Sequence, residues 1–128
     1  MSQTPMLDFI QVMTAVDNEE DAQNIAAALV SQRLAASVQV IGPLTSTYWW
    51  NGDVTTAEEW LCLIQTRANL FAEVDAVIQQ VHPYDVPEVL AVPVLAGGSS
   101  YLAWLDRELK KRNSSPSTAS ALPAQPRP

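Results

Sequence analysis

A chain of 128 residues with 48% hydrophobic content can build one domain with a real core, which excludes both wholesale disorder and two ordinary domains. Fourteen acids against seven bases give a net charge of −7, and residues 1–106 alone hold thirteen acids and only Arg33 and Arg67 as bases. That field excludes nucleic acid, whose binding needs a cationic surface, and it repels an acidic membrane.

Asp8 to Val16 reads as a strand with apolar residues on both faces, as a central strand would have. Asp17 or Asn18 then serves as N-cap for a helix opened by Glu19, Glu20 and Asp21, with apolar residues at helical spacing up to about Leu34. Ser37 to Trp50 reads as a long extended stretch interrupted at Gly42-Pro43 by a bulge or bend. Asn51-Gly52 is a hairpin signal, because both residues tolerate the positive φ of a type I′ turn. The chain returns as a strand from about Val54 to Thr66, and its run Trp60 to Ile64 reads as buried on both faces. A second helix begins near Ala68 and stops before Pro83. Pro87 opens a strand over 88–94, placed at an edge by Pro93. Ser99 or Ser100 caps a last helix from about Tyr101 to Lys111, and the basic residues Arg107, Lys110, Lys111 and Arg112 gather at its C-terminus, where the helix dipole favours them.

The order β-α-β-β-α-β plus a helix predicts an α+β, ferredoxin-like fold with the first and third strands central. The domain spans residues 1–112, and the Ser/Pro-rich segment 113–128 reads as a disordered tail. The second and third strands are too long for the body, so their hairpin overhangs it and carries Tyr48, Trp49 and Trp50 outward. Aromatic side chains of that size are expected to pack on other copies of the chain, as is the surface that 16% charged residues, against roughly 25% on average, cannot solvate.

A single cysteine, Cys62, excludes an intrachain disulfide and a multi-thiolate zinc site, and it reads as a buried apolar residue. No apolar run is long enough to span a membrane, and the first residues carry no basic-then-apolar leader, so a cytoplasmic location is expected. His82 is the one histidine and lies in His82-Pro83-Tyr84-Asp85-Val86-Pro87-Glu88, which places an imidazole, a phenol and two carboxylates in a segment stiffened by two prolines. It reads as a metal ligand, as the rim of a ligand cleft, or as a hydrogen-bonded histidine at a helix end. Arg67 either pairs with a carboxylate or holds an anion. Glu58 and Glu59 alternate across their strand and so face opposite ways. No phosphate-cradling loop, nucleophile elbow or HExxH motif is present, and the acidic loop after the first strand would repel phosphate, so no enzymatic activity is expected.

Leu34-Ala35-Ala36-Ser37-Val38, Thr47-Tyr48-Trp49-Trp50-Asn51-Gly52, Gln65-Thr66-Arg67, the His82–Glu88 segment and Tyr101-Leu102-Ala103-Trp104-Leu105 together resemble the CutA divalent-cation tolerance proteins over about residues 8–110. The resemblance implies a homotrimer similar in shape to the PII signalling proteins, with Tyr48, Trp49, Trp50 and Trp104 at the trimer interface. It implies a cytoplasmic role in response to divalent metal ions, with copper the usual ion and no obligatory cofactor; this sequence's departures from the family make the expected binding of copper or another divalent cation weak. The metal donors would be His82, Met13, Glu88 and Asp85. Positions that are often Cys, Cys and His in the family are here Ser37, Met13 and Val81, which removes soft thiolate ligation. The alternative is a PII-like module whose inter-subunit clefts, rimmed by Tyr48, Trp50, Arg67, His82, Tyr84 and Glu88, bind a small molecule or a partner protein.

Overall fold

The computed structural model describes residues 8–111. The expected tail, 113–128, lies outside the described residues. The elements run β1 (Phe9–Val16), α1 (Glu19–Ser31), β2 (Ser37–Trp50), β3 (Asp53–Arg67), a 3₁₀ turn (Ala68–Leu70), α2 (Phe71–Val81), β4 (Leu90–Pro93) and α3 (Ser99–Glu108). The four strands form one antiparallel sheet in the order β2-β3-β1-β4, the ferredoxin-like arrangement. Pro93 does lie on an edge strand, which pairs only with β1.

Helix α1 starts where the sequence supplies a cap. Asn18 Oδ1 accepts the Asp21 N–H at 2.8 Å, with Glu19, Glu20 and Asp21 in the first turn, so Asn18 and not Asp17 is the N-cap. The helix stops three residues earlier than its apolar spacing predicts. Arg33 adopts φ +57°, and the N–H groups of Arg33 and Leu34 return to the carbonyls of Val30 and Leu29, each at 3.0 Å. This is a Schellman closure with arginine in the position that glycine usually holds.

Alternation along β1 puts Ile10, Val12 and Val16 into the core with Ala22, Ile25 and Leu29 of α1, Val74 and Ile78 of α2, and Cys62 and Ile64 of β3. Each fully buried aliphatic side chain contributes about 2 kcal/mol. The helices cover that face alone. On the other face Met13, Leu61 and Leu63 are half-buried, and Ile41, Leu90 and Val92 are exposed. The expectation that the first and third strands are covered on both faces therefore fails within the single chain: among the described residues their second apolar row has no layer above it.

The β2–β3 hairpin turns at Asn51 (φ +51°) and Gly52 (φ +84°), as a type I′ turn requires. From there the register runs Trp50↔Asp53, Tyr48↔Thr55, Ser46↔Ala57 and Leu44↔Glu59, and an irregularity between Ile41 and Leu44 marks the bulge at Gly42-Pro43. The tip projects beyond the helices, leaving Trp49, Trp50 and Val54 more than half exposed.

Helix α3 begins at Ser99 with Gly98 as its N-cap, so Ser99 and Ser100 are already inside it and no side chain caps it. The expected serine cap is thus corrected, and the helix ends at Glu108, not at Lys111.

A candidate ligand cleft

The end of β1, the stem of the hairpin and the segment after α2 enclose a cleft of about 760 Å³. Its walls include Tyr48, Trp50, Ser46, Glu59, Tyr84, Asp17, Asp85 and Glu88. The hairpin register puts Ser46, Tyr48, Trp50 and Glu59 on one face of the sheet, because paired residues share a face and successive residues alternate.

Glu59 is the polar floor. It is 7% exposed, with Oε1 accepting the Ser46 hydroxyl at 2.7 Å and Oε2 the Tyr84 hydroxyl at 2.8 Å. Both donors are neutral, and no ion pair to Glu59 exists among the described residues. Burial, together with the bond to Glu59 and that carboxylate's charge, pushes the Tyr84 hydroxyl well above its usual range, so it stays a donor. Its alternation with exposed Glu58 follows the expectation. Counting back from the Asn51-Gly52 turn would also have marked Glu59 as the one sharing a face with Tyr48 and Trp50.

His82 closes α2 in an extended conformation (φ −73°, ψ 134°) imposed by Pro83. Its ring is buried at 6% exposure. Nε2–H donates to the Ala15 carbonyl at 2.7 Å, while Nδ1 accepts the Tyr84 N–H at 3.2 Å. The Tyr84 N–H can only donate, which assigns the ring proton to Nε2. The ring also meets Tyr84 edge-on at 4.7 Å. Burial, the largest influence, pulls the His82 pKa below its usual value, against the Ala15 bond and the charges of Asp21, Glu59 and Asp17.

Of the expected cleft residues, Tyr48, Trp50, Tyr84 and Glu88 line the cavity, and His82 braces it from behind. Within the single chain Arg67 does not join them; it pairs with a carboxylate, one of the two roles expected of it. It lies at the opposite end of β3, 1% exposed, bonded to Asn69 Oδ1 (3.2 Å), to Asp106 Oδ1 (2.9 Å) and to the carbonyls of Asp106 and Lys110. Three carbonyl or carboxylate partners near the end of α3 make it a clamp on that helix.

The expected metal donors are dispersed. Asp85 and Glu88 face the cleft, Met13 sits mid-strand between Leu63 and Leu90, and both nitrogens of His82 are engaged. Among the described residues no three His, Cys, Asp or Glu side chains are placed to share a metal ion. Trp104 is half-buried against its own core and tilted on Tyr101 at 5.7 Å. Trp49 and Trp50 are 73% and 63% exposed in the single chain.

A ferredoxin-like subunit with an overgrown central hairpin and a cleft at its base defines a class of small α+β proteins. The chain matches the family described as "CutA1 divalent ion tolerance protein" over residues 10–108. It is 43% identical over 94 residues to the divalent-cation tolerance protein CutA of Thermus thermophilus, covering 73% of this chain and 91% of the relative. The solved structure of a Thermus thermophilus divalent cation tolerance protein superposes with a TM-score of 0.77 at 40% identity, over 79% of this chain and 98% of the other. The CutA1 structure from Oryza sativa gives 0.80 at 35% identity, over 85% and 100%. This chain spans 58% of the length of a rice relative named Protein CutA 1, chloroplastic, at 37% identity and covering 80% of this chain. The chain belongs to the CutA1 family.

Proposed function

We propose that this protein is a homotrimeric, cytoplasmic, non-enzymatic member of its family that acts in tolerance of divalent metal ions. Family membership over residues 10–108 carries the reading. The trimer is supported by the sheet face that the described residues leave without a covering layer and by the exposed Trp49, Trp50 and Val54 of the hairpin. The single buried Cys62 suits a reducing compartment.

Copper binding in this reading is weak, micromolar or poorer as an order of magnitude. An ion at His82 must displace either the Ala15 or the Tyr84 hydrogen bond, and Met13 is too isolated along β1 to complete a site alone. Native mass spectrometry during a copper titration tests the assembly and the metal together. The expected outcome is a trimer that takes up copper only at high concentration, with uptake reduced in His82→Ala. A monomer at all concentrations would overturn the assembly, and copper uptake unchanged in His82→Ala would overturn the ligand.

The second reading is a PII-like module that binds a small molecule in the cleft, with metal incidental. One observation favours it: His82 spends one ring nitrogen on the Ala15 carbonyl and the other on the Tyr84 N–H, which pins the wall of a cavity and leaves neither nitrogen free as a ligand.

A further inference from the structure

We propose that the cleft between the hairpin stem and the Tyr84–Glu88 segment binds an organic ammonium cation, a quaternary or aliphatic amine of the choline or polyamine kind. The proposal deepens the second functional reading and rests on it.

Three independent features converge on this chemistry. The first is size: about 760 Å³ accommodates a small organic molecule with its hydration shell removed. The second is the aromatic lining. Tyr48, Trp50 and Tyr84 come from both sides of the cavity, and indole and phenol faces attract a cation through the ring quadrupole. Trp50 is 63% exposed in the isolated chain, so its own fold leaves the ring uncovered.

The third is charge. Among the described residues, all the charged side chains lining the cleft are acidic: Asp17, Glu59, Asp85 and Glu88. Glu59 is buried, accepts only from neutral hydroxyls and has no cationic partner among the described residues. A buried carboxylate without counter-charge is costly, and a guest cation at this position would supply that charge.

An inorganic divalent ion fits the same walls less well. It needs several oxygens converging at about 2.0–2.6 Å. No three His, Cys, Asp or Glu side chains among the described residues converge in that way. Aromatic faces offer such an ion little, whereas an alkylammonium presents a weakly hydrated, apolar surface to them. An anionic ligand is excluded by the sign of the lining.

Isothermal titration of the full chain with choline chloride, and separately with spermidine, tests the proposal, with sodium chloride and magnesium chloride at matched ionic strength as references. The expected result is saturable binding of at least one amine and a change in tryptophan fluorescence that the reference salts do not produce. Trp50→Leu and Glu59→Gln should each weaken that binding by about tenfold or more. Circular dichroism and native mass checked on the same samples separate lost binding from lost fold. Should either variant misassemble, Asp85→Asn, on an exposed loop position, is expected to weaken binding severalfold. No saturable binding up to about 10 mM, an equal response to magnesium, or full binding by every correctly folded variant would overturn the proposal. A parallel copper titration keeps the two readings apart. Amine binding without copper uptake supports this proposal and removes metal binding from the principal reading. Copper uptake without amine binding does the reverse.

Discussion

His82 ties the end of α2 to the end of β1: its Nε2–H meets the Ala15 carbonyl at 2.7 Å across 67 residues of sequence. The same ring accepts the Tyr84 N–H on Nδ1, so it bridges two strands' worth of chain only while neutral. Protonation would set an N–H against an N–H. Burial already holds the pKa below its ordinary value of 6.5. The folded state therefore resists the proton more than the unfolded state does. The His82 contribution to stability is full above about pH 6.5 and is lost as pH falls through the folded-state value. Urea midpoints measured from pH 7.5 to 5 should decline for the native sequence and decline less for His82→Gln. Parallel slopes for the two would show that the ring does not titrate in this way.

Arg67 holds α3 against β3, and its guanidinium cannot be replaced by an ammonium because four acceptors surround it in a fork. Arg67→Met should cost about 2–3 kcal/mol. Asp106 is half exposed and can return to water, which keeps the figure at or below the bottom of the range for broken buried pairs, about 3–5 kcal/mol. Urea denaturation measures the loss. Arg67→Lys should recover less than half of it, and the loss should come with a red shift in emission that Trp104→Phe abolishes, because Trp104 sits on the helix that is released.

Gly42 is defined by closeness. A Cβ there would lie 2.5 Å from Cδ1 of Trp60, so Gly42→Ala must push the indole aside. Overpacking of this kind costs about 1–3 kcal/mol. Thermal unfolding of Gly42→Ala should show it, and the double variant Gly42→Ala, Trp60→Leu should be less destabilised than the sum of the two single changes. Simple additivity would separate the two residues.

Cys62 is fully buried, its thiol pushed up to about 11 by desolvation, and its Sγ–H points to the Ala22 carbonyl at 3.8 Å. A thiolate is the reactive form. Iodoacetamide at pH 8 should leave the native protein unmodified by mass and label it fully in 6 M guanidinium chloride, a condition that unfolds most domains. Rapid native labelling would mean that the core opens locally far more often than its packing implies.

Strand order, the hairpin turn and the edge position of β4 were all readable because each has a local cause: Asn51-Gly52 for the turn, Pro93 for the edge, alternation for β1. The cap at Asn18 was readable to within one residue for the same reason. What escaped the sequence depends on distant partners. The end of α1 is set by Arg33 in a left-handed conformation, which arginine seldom adopts. That Arg67 would pair with a carboxylate was readable from its scarcity among acids, but not which one: its partners, Asp106 of α3 and the Lys110 carbonyl just beyond that helix, lie about forty residues on. Glu59 was visible as one of two alternating acids, but its burial depends on Tyr84, which arrives only when His82 anchors the second segment.

The irregularity at Gly42-Pro43 has a wider consequence. Between Ile41, opposite Leu61, and Leu44, opposite Glu59, β2 advances three residues while β3 advances two. Odd-numbered residues of β2 share a face with Leu61 and Leu63 before that point, and even-numbered ones share it with Ala57 and Glu59 after it. One surplus residue thus inverts the parity of everything downstream. It is the reason Tyr48 and Trp50, and not Thr47 and Trp49, look toward Glu59. Losing a single residue there would keep every aromatic in the chain and yet exchange the inward pair for the outward one, so the chemistry of the cleft hangs on a count.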